Sequence, residues 1–211
     1  MKKSVCLIGC VLGALLVGCT PDKVTVTIPT SAIRKASSGE IEYVQVKATF
    51  SDSSSEETLN KVRRVALRHL GEGAEIEIDQ EGSSFKLTAS FKIPFGGAFA
   101  LANAPKSILV LSMDASGRIE LCDGPGLRFL NFDLNEIDSD VKAEFNGGET
   151  LFRFVGSDEM ATQINVIAAF TNNKPTTTVV AKIDKDEEVI VKFNRNDGSI
   201  WNSLDPFVIL R

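Results

Sequence analysis

The chain has 211 residues, 43% of them hydrophobic and 24% charged, which is typical of a globular protein and not of a disordered one. Its formal charge of −5 disfavours nucleic acid as a partner, because the phosphates would be repelled. Thirteen Phe residues stand against one Trp and one Tyr, which indicates filled cores more than exposed aromatic platforms that bind sugars.

The amino-terminal segment has the layout of an export signal. Two lysines precede an apolar run, residues 5–17, that is too short to span a bilayer. The run ends in Leu16-Val17-Gly18-Cys19, which resembles the lipobox of bacterial lipoproteins. The resemblance implies removal of residues 1–18 as a signal peptide, attachment of diacylglycerol to Cys19, and acylation of the new amino terminus.

The residue after Cys19 bears on the membrane to which the lipoprotein would be sorted. Because Thr20 and not Asp stands there, the same resemblance implies sorting to the outer membrane, or to the exterior of the plasma membrane in a Gram-positive cell. Removal of the signal leaves 193 residues, with 21 basic against 28 acidic side chains and a formal charge of −7. Residues 19–23 are then a short tether, so we expect the folded body to lie close to the membrane.

Cysteine usage predicts no intramolecular disulfide. Once the signal is removed and Cys19 carries lipid, Cys122 is the one remaining thiol. It ends the strand-like residues 118–122, which predicts a buried and inert side chain. The alternative, a catalytic nucleophile, needs a histidine, and His69 is far away in sequence.

Residues 24–94 predict a small α+β unit, with one helix on an antiparallel sheet. Alternating apolar residues predict four strands, at 24–28, 40–50, 74–79 and 84–94, the last two as a hairpin. Thr30 and Ser31 cap a short helical turn between the first two strands.

The most regular helix is predicted at residues 54–70. Ser54 and Glu57 have the spacing of a capping box, and Gly71 ends the pattern. Apolar side chains recur at steps of three and four residues, at Leu59, Val62, Ala66 and Leu70. The basic side chains fall on the opposite side, at Lys61, Arg64 and Arg68. We expect this basic face to be solvated, with an acidic partner as the alternative.

An uncharged segment, residues 95–105, separates the two halves of the chain. It contains Phe95, Phe99 and Leu101, and exposing them would cost about 25 cal/mol per Å² of apolar surface. The default interpretation is packing against the core. The alternative is an exposed contact surface in which Phe95, Phe99 and Leu101 bind a partner.

Residues 106–211 predict an all-β, sandwich-like unit. The predicted strands are short and separated by turn signals, at 107–113, 117–121, 130–134, 141–145, 151–155, 163–170, 179–183, 189–193 and 207–210. The predicted fold class is therefore α+β, a small antiparallel sheet with one amphipathic helix followed by this β-sandwich-like region.

Two acidic stretches, residues 133–140 and 184–188, are the candidates for a metal site. Carboxylates suit Ca²⁺, but neither stretch has the spacing of an EF-hand loop, and turns favour Asp and Asn in any case. We therefore predict neither a metal nor another cofactor.

The sequence contains no nucleophile elbow, phosphate-binding loop, dinucleotide fingerprint or zinc-protease motif.

The first interpretation of function is a lipid-anchored, non-enzymatic envelope protein that binds an envelope protein partner at the membrane face. The lipobox followed at once by residues 24–31, with the Phe-rich β region, is similar to small lipoproteins of phages, prophages and mobile elements. That similarity implies exclusion or envelope protection as an alternative. A carboxylate-dependent envelope hydrolase is a further alternative.

Overall fold

The computed structural model describes residues 18–52, 54–97, 101–102, 106–139, 141–145, 148–194 and 207–210. This part of the chain is a mixed α/β fold with three helices and about 50% strand, arranged as a curled sheet and a smaller sheet. Within these ranges no helix has the length and apolar character needed to cross a membrane. Of the predicted signal peptide, residues 1–17 lie outside the described residues, and its last residue, Gly18, is described.

Helices and strands account for most of the described residues. The helices are α1 (Thr30–Ser37), α2 (Glu56–Leu70) and α3 (Leu127–Asn135). The strands are β1 (Gly18–Cys19), β2 (Lys23–Pro29), β3 (Glu42–Asp52), β4 (Glu75–Glu81), β5 (Ser84–Gly97), β6 (Leu109–Met113), β7 (Arg118–Asp123), β8 (Lys142–Ala143), β9 (Glu149–Val155), β10 (Thr162–Thr171), β11 (Lys174–Ile183), β12 (Glu188–Asn194) and β13 (Phe207–Leu210).

The large sheet curls round until its pairing closes. Its strand order is β11-β10-β12-β9-β2-β3-β5-β6-β7-β13. Strand β4 lies outside this order and pairs with β5. Strand β13 pairs with β7 on one side and with β10 on the other, so the hydrogen-bonded order returns to a strand already in the sheet. The smaller sheet is the parallel pair β1–β8.

This pairing joins the two units predicted from the sequence. Strand β2 pairs in parallel with β9 along its whole length, from Lys23–Glu149 to Pro29–Val155. Strand β5 runs on to Gly97, inside the segment predicted as a loop, and pairs there with β6. The predicted β-sandwich is therefore wrong. The carboxy-terminal strands satisfy the free backbone groups at the edge of β2, and one curled sheet forms instead of two facing sheets.

The strand pattern of the amino-terminal half is confirmed by burial. In β2 the side chains of Val24, Val26 and Ile28 are fully buried, while Thr25 and Thr27 between them are half-buried. This alternation places one face of β2 against the core. The hairpin of β4 and β5 is also confirmed, with paired residues from Glu75–Ser90 to Glu81–Ser84.

The predicted amphipathic helix is confirmed as α2, but its cap is displaced by one residue. Ser55, not Ser54, is the N-cap, and its Oγ accepts a hydrogen bond from the Thr58 N–H at 3.2 Å. Acidic residues in the first turn and Arg68 in the last turn complement the helix dipole. The buried side of the helix consists of Leu59, Val62, Val65 and Leu70.

Helix α3 replaces the strand that alternation predicts at residues 130–134. The helix begins after Gly126, and its buried residues are Leu127, Leu130 and Leu134, spaced three and four apart. Phe132, which alternation placed on the same face as Leu130 and Leu134, is turned to solvent. A short apolar run fits both the two-residue period of a strand and the 3.6-residue period of a helix. Packing against α2 and β8 favours the helix.

A second difference concerns β11, which begins five residues earlier than predicted. Strands β10 and β11 are joined by a two-residue turn in which Asn172 and Asn173 have φ of 48° and 63°. An Asn pair tolerates this left-handed backbone, so the signal for a tight hairpin is present in the sequence. Asn172 Oδ1 also accepts a hydrogen bond from the Ile190 N–H at 3.0 Å, which ties the turn to β12.

Candidate functional site

The candidate site is the place where α2, α3 and β8 meet, and we call it the helical corner. Helix α3 packs against both other elements. The corner combines an interhelical ion pair, a side-chain bridge to the strand beside Cys19, two exposed aromatic rings and an apolar cavity. The residues that form these features are far apart in sequence, since the cavity alone is lined by residues from Phe50 to Phe145.

His69 and Asp133 fix the two helices to each other. His69 Nε2 lies 2.9 Å from Asp133 Oδ2, and Arg68 Nη2 lies 3.6 Å from the same oxygen. The His69 and Asp133 side chains are both partly buried, which limits screening of the contact. Asp133, predicted in an acidic turn, is therefore a helix residue whose carboxylate contacts His69 and Arg68 of α2.

We expect Asp133→Ala to lower the free energy of unfolding by about 1 kcal/mol, since it leaves the His69 ring without its acceptor. Urea denaturation followed by circular dichroism measures the change. Glu136→Ala, an exposed acidic change just after the same helix, is the control and should leave the midpoint unaltered. Equal midpoints for the two variants would show that the contact does not stabilise the fold.

Asn131 joins α3 to β8. Its Nδ2 donates to the Ala143 carbonyl at 3.1 Å, and its Oδ1 accepts from the Ala143 N–H at 2.7 Å. Both backbone groups of Ala143 are thereby satisfied by one side chain. In the β1–β8 pair the α-carbon partner of Ala143 is Cys19, the predicted lipid attachment residue. The helix, the strand and Cys19 are thus consecutive neighbours in space.

Helix α3 exposes two phenylalanines on its outer side, which we call the α3 aromatic pair. Phe129 is 49% exposed and Phe132 is 66% exposed. They are three residues apart, so they lie on neighbouring positions of the helix surface. The Arg128 guanidinium carbon lies 4.6 Å from the centroid of the Phe129 ring. Adjacent exposed rings of this kind are typical of a contact surface.

An apolar cavity of about 60 Å³ lies beneath α2 and α3. Its walls come from both helices, from the large sheet and from β8, and include Leu70, Phe91, Leu130, Leu134, Ala143 and Phe145. Two charged residues also line it, Asp52 and Arg63, and Arg63 is exposed. The cavity therefore has hydrocarbon walls and a charged rim.

The residues singled out in the uncharged segment lie elsewhere. Phe95 is 0% exposed in the core of the large sheet, and Leu101 is 7% exposed and packs near Val110 and Cys122. Phe99 lies outside the described residues. Phe95 and Leu101 are thus placed inside the protein and not on a surface that a partner reaches. Cys122 is half-buried and not fully buried as predicted, because it packs at the margin of this small cluster.

The acidic stretches do not converge on a cation position in the described part of the chain. No group of three or more His, Cys, Asp or Glu side chains is placed there to hold a metal ion. In the turn at residues 184–188, Lys182 Nζ donates to Asp184 Oδ2 at 2.8 Å. This hydrogen bond and the carboxylate charge raise the pKa of Lys182. Asp140 lies outside the described residues.

Comparison of the chain with models of known protein families, with curated proteins and with solved structures gives no match. Sequence reasoning missed the α3 aromatic pair because it assigned residues 130–134 to a strand. The helical spacing of Leu127, Leu130 and Leu134 is the signal that indicates the exposed positions between them.

Proposed function

We propose that this chain is a lipid-anchored, non-enzymatic protein of the cell envelope, held at the outer membrane by Cys19. It acts by binding an envelope protein at the membrane face through the α3 aromatic pair. The observation that carries the proposal is the exposure of Phe129 and Phe132 on a helix bridged by Asn131 to the strand beside Cys19.

The position of the helix supports a partner at the membrane. Neighbouring strands are about 4.8 Å apart and a helix with its side chains is about 10–12 Å across. The α3 aromatic pair therefore lies within about 20 Å of the Cys19 α-carbon. Lipid chains on Cys19 would keep this surface next to the bilayer, where it meets proteins of the same membrane.

The chemistry of the surface favours a protein partner. Aromatic rings and arginine are enriched where binding energy concentrates in protein–protein interfaces. Phe129, Phe132 and Arg128 supply that combination on adjacent helix positions. Exclusion of a competing phage, which the sequence similarity implies as an alternative, would be one interaction of this kind.

A photo-crosslinking amino acid at position 132 tests the proposal in intact cells. We expect a discrete protein adduct from this position, because the ring there would be covered by the partner. The same amino acid at Asn173, in the exposed turn between β10 and β11, is the control and should give no such adduct. Equal labelling from the two positions would contradict a contact surface on α3.

The double variant Phe129→Ser and Phe132→Ser separates binding from folding. Both rings are exposed, so we expect the free energy of unfolding to change by no more than about 0.5 kcal/mol. Adducts formed from a crosslinker at a neighbouring exposed position, Asn135, should fall at least tenfold. Val180→Ser removes an exposed apolar side chain from β11 and should leave these adducts intact. A fully bound double variant would rule out the aromatic pair as the binding surface.

A further inference from the structure

The outer face of β3 and β5 is a polar surface that the proposed function makes no use of. The inward side chains of these strands, such as Val46 and Phe91, belong to the same core cluster as the buried residues of all three helices. The helices therefore pack on the inner side, and the alternate side chains of the two strands face outward. We call this surface the lysine face and define it by Tyr43, Gln45, Lys47, Ser90 and Lys92.

The strand register places two lysines close together on this face. Lys47 is the α-carbon partner of Ser90, and Lys92 is the partner of Gln45. Lys47 and Lys92 are therefore diagonal neighbours on adjacent strands, with their α-carbons about 7–8 Å apart. Both lysines are exposed. Their like charges repel each other, and an anion placed between them relieves that repulsion.

The carboxylates of the neighbouring strands do not neutralise this pair. Glu149 of β9 lies 3.8 Å from Lys23 and also pairs with Lys192. Glu75 of β4 is exposed and in register with Ser90, but among the described residues it forms no ion pair with either lysine of the face. Glu75 therefore lowers the positive potential at one border only. The lysine face is locally positive on a chain with a formal charge of −5.

The side chains around the two lysines suit a hydroxyl-rich partner. The Gln45 amide and the Ser90 hydroxyl both donate and accept hydrogen bonds. Tyr43, which is 62% exposed, supplies the one exposed aromatic ring of these two strands. Protein interfaces concentrate their binding energy in several apolar and aromatic anchors, which the lysine face does not present. Charge and hydrogen bonding together favour an acidic carbohydrate.

We propose that the lysine face binds an acidic polysaccharide of the cell envelope. Carboxylates of the polysaccharide pair with Lys47 and Lys92 through charge-assisted hydrogen bonds, and its hydroxyls bond to Gln45 and Ser90. The polysaccharide crosses the strands, where side chains of neighbouring strands recur about every 4.8 Å. The binding surface follows from β3 and β5 alone, whereas the envelope as the source of the polysaccharide rests on the anchoring proposed above.

Binding of polygalacturonate to the detergent-solubilised full chain tests the proposal, because this polysaccharide carries a carboxylate on each sugar. We expect saturable binding that weakens as salt is raised, since exposed charges are screened. The methyl ester of the same polysaccharide is uncharged and should bind at least about tenfold more weakly. Failure of the acidic form to bind would overturn the proposal. Equal binding of polyglutamate or of phosphatidylglycerol vesicles would overturn the assignment to a polysaccharide.

A matched pair of double variants locates the binding surface. We expect Lys47→Gln with Lys92→Gln to lower the association constant at least about tenfold while the melting temperature is maintained. Lys182→Gln with Lys185→Gln removes the same charge from exposed lysines that already pair with Asp184 and Glu159, and should change binding by no more than about twofold. Equal losses in the two double variants would show a response to net charge and would overturn the lysine face.

A change at Glu75 provides a test with the opposite sign. Glu75→Gln removes the carboxylate that borders the face, so we expect it to raise the association constant about twofold. Glu81→Gln, on the same strand but paired with Lys86 at 3.1 Å, is the control and should leave binding unaltered. Unchanged binding of the Glu75→Gln protein would contradict an anion beside Lys47 and Lys92. Failure of these measurements leaves the crosslinks expected from α3 unaffected, and loss of those crosslinks leaves polygalacturonate binding unaffected.

Discussion

Cys19→Ala should abolish incorporation of a fatty-acid analogue and leave the protein soluble or unprocessed. The Leu16–Cys19 tetrapeptide predicts that the Cys19 sulfur forms the thioether, and no other side chain in the motif can replace it. Because each buried methylene contributes about 0.8 kcal/mol to membrane binding, losing two or more acyl chains should remove stable attachment. Metabolic labelling followed by membrane fractionation measures both effects.

Cys122→Ala is the matched control for that experiment. It makes the same change at a half-buried position of β7, distant in sequence from the lipobox, and should leave labelling and fractionation unchanged. Undiminished labelling of the Cys19→Ala protein would contradict lipidation at Cys19. It would also remove the reason for placing the helical corner at a membrane.

Phe95→Ala should produce the largest loss of stability among the substitutions considered. Phe95 is completely buried where β5 pairs with Glu42 of β3 and with Leu111 of β6. Truncating a buried Phe costs about 3–5 kcal/mol through lost transfer energy and a residual cavity. Total stabilities are about 5–15 kcal/mol, so the variant should be partly unfolded or melt far below the parent.

Phe132→Ala is the control for the core substitution, because it makes the same chemical change at a largely exposed ring. It should shift the free energy of unfolding by no more than about 0.5 kcal/mol. Chemical denaturation of the two variants side by side gives the comparison. If Phe95→Ala costs no more than Phe132→Ala, then Phe95 is not part of the packed core.

The sequence determined the elements that satisfy one local pattern without competition. Strand β2 is unambiguous because Val24, Val26 and Ile28 alternate with threonines, and Pro29 limits its length. Helix α2 is equally clear, since its apolar residues repeat over four turns between a serine cap and Gly71. Local backbone preferences and the side-chain period agree at these positions, so no distant contact is needed to predict them.

Tertiary structure decided the elements whose local pattern is ambiguous. The apolar residues at 127–135 fit either the strand period or the helix period. The segment is a helix because Leu127, Leu130 and Leu134 are buried where it packs against α2 and β8. The pairing of β2 with β9 is also invisible in the sequence, because backbone groups at a strand edge do not specify which strand completes them.

The helical corner is also a feature that only the tertiary structure decided. His69 meets Asp133 across 64 residues, and Asn131 bridges to Ala143 beside Cys19. Each of these side chains is an ordinary polar residue in its own segment. From the sequence alone, the resemblance of residues 16–19 to a lipobox predicts lipidation at Cys19, and the spacing of apolar residues predicts the apolar face of α2. The exposed rings and the cavity arise only when separate segments pack, because surface and interior are defined by long-range contacts.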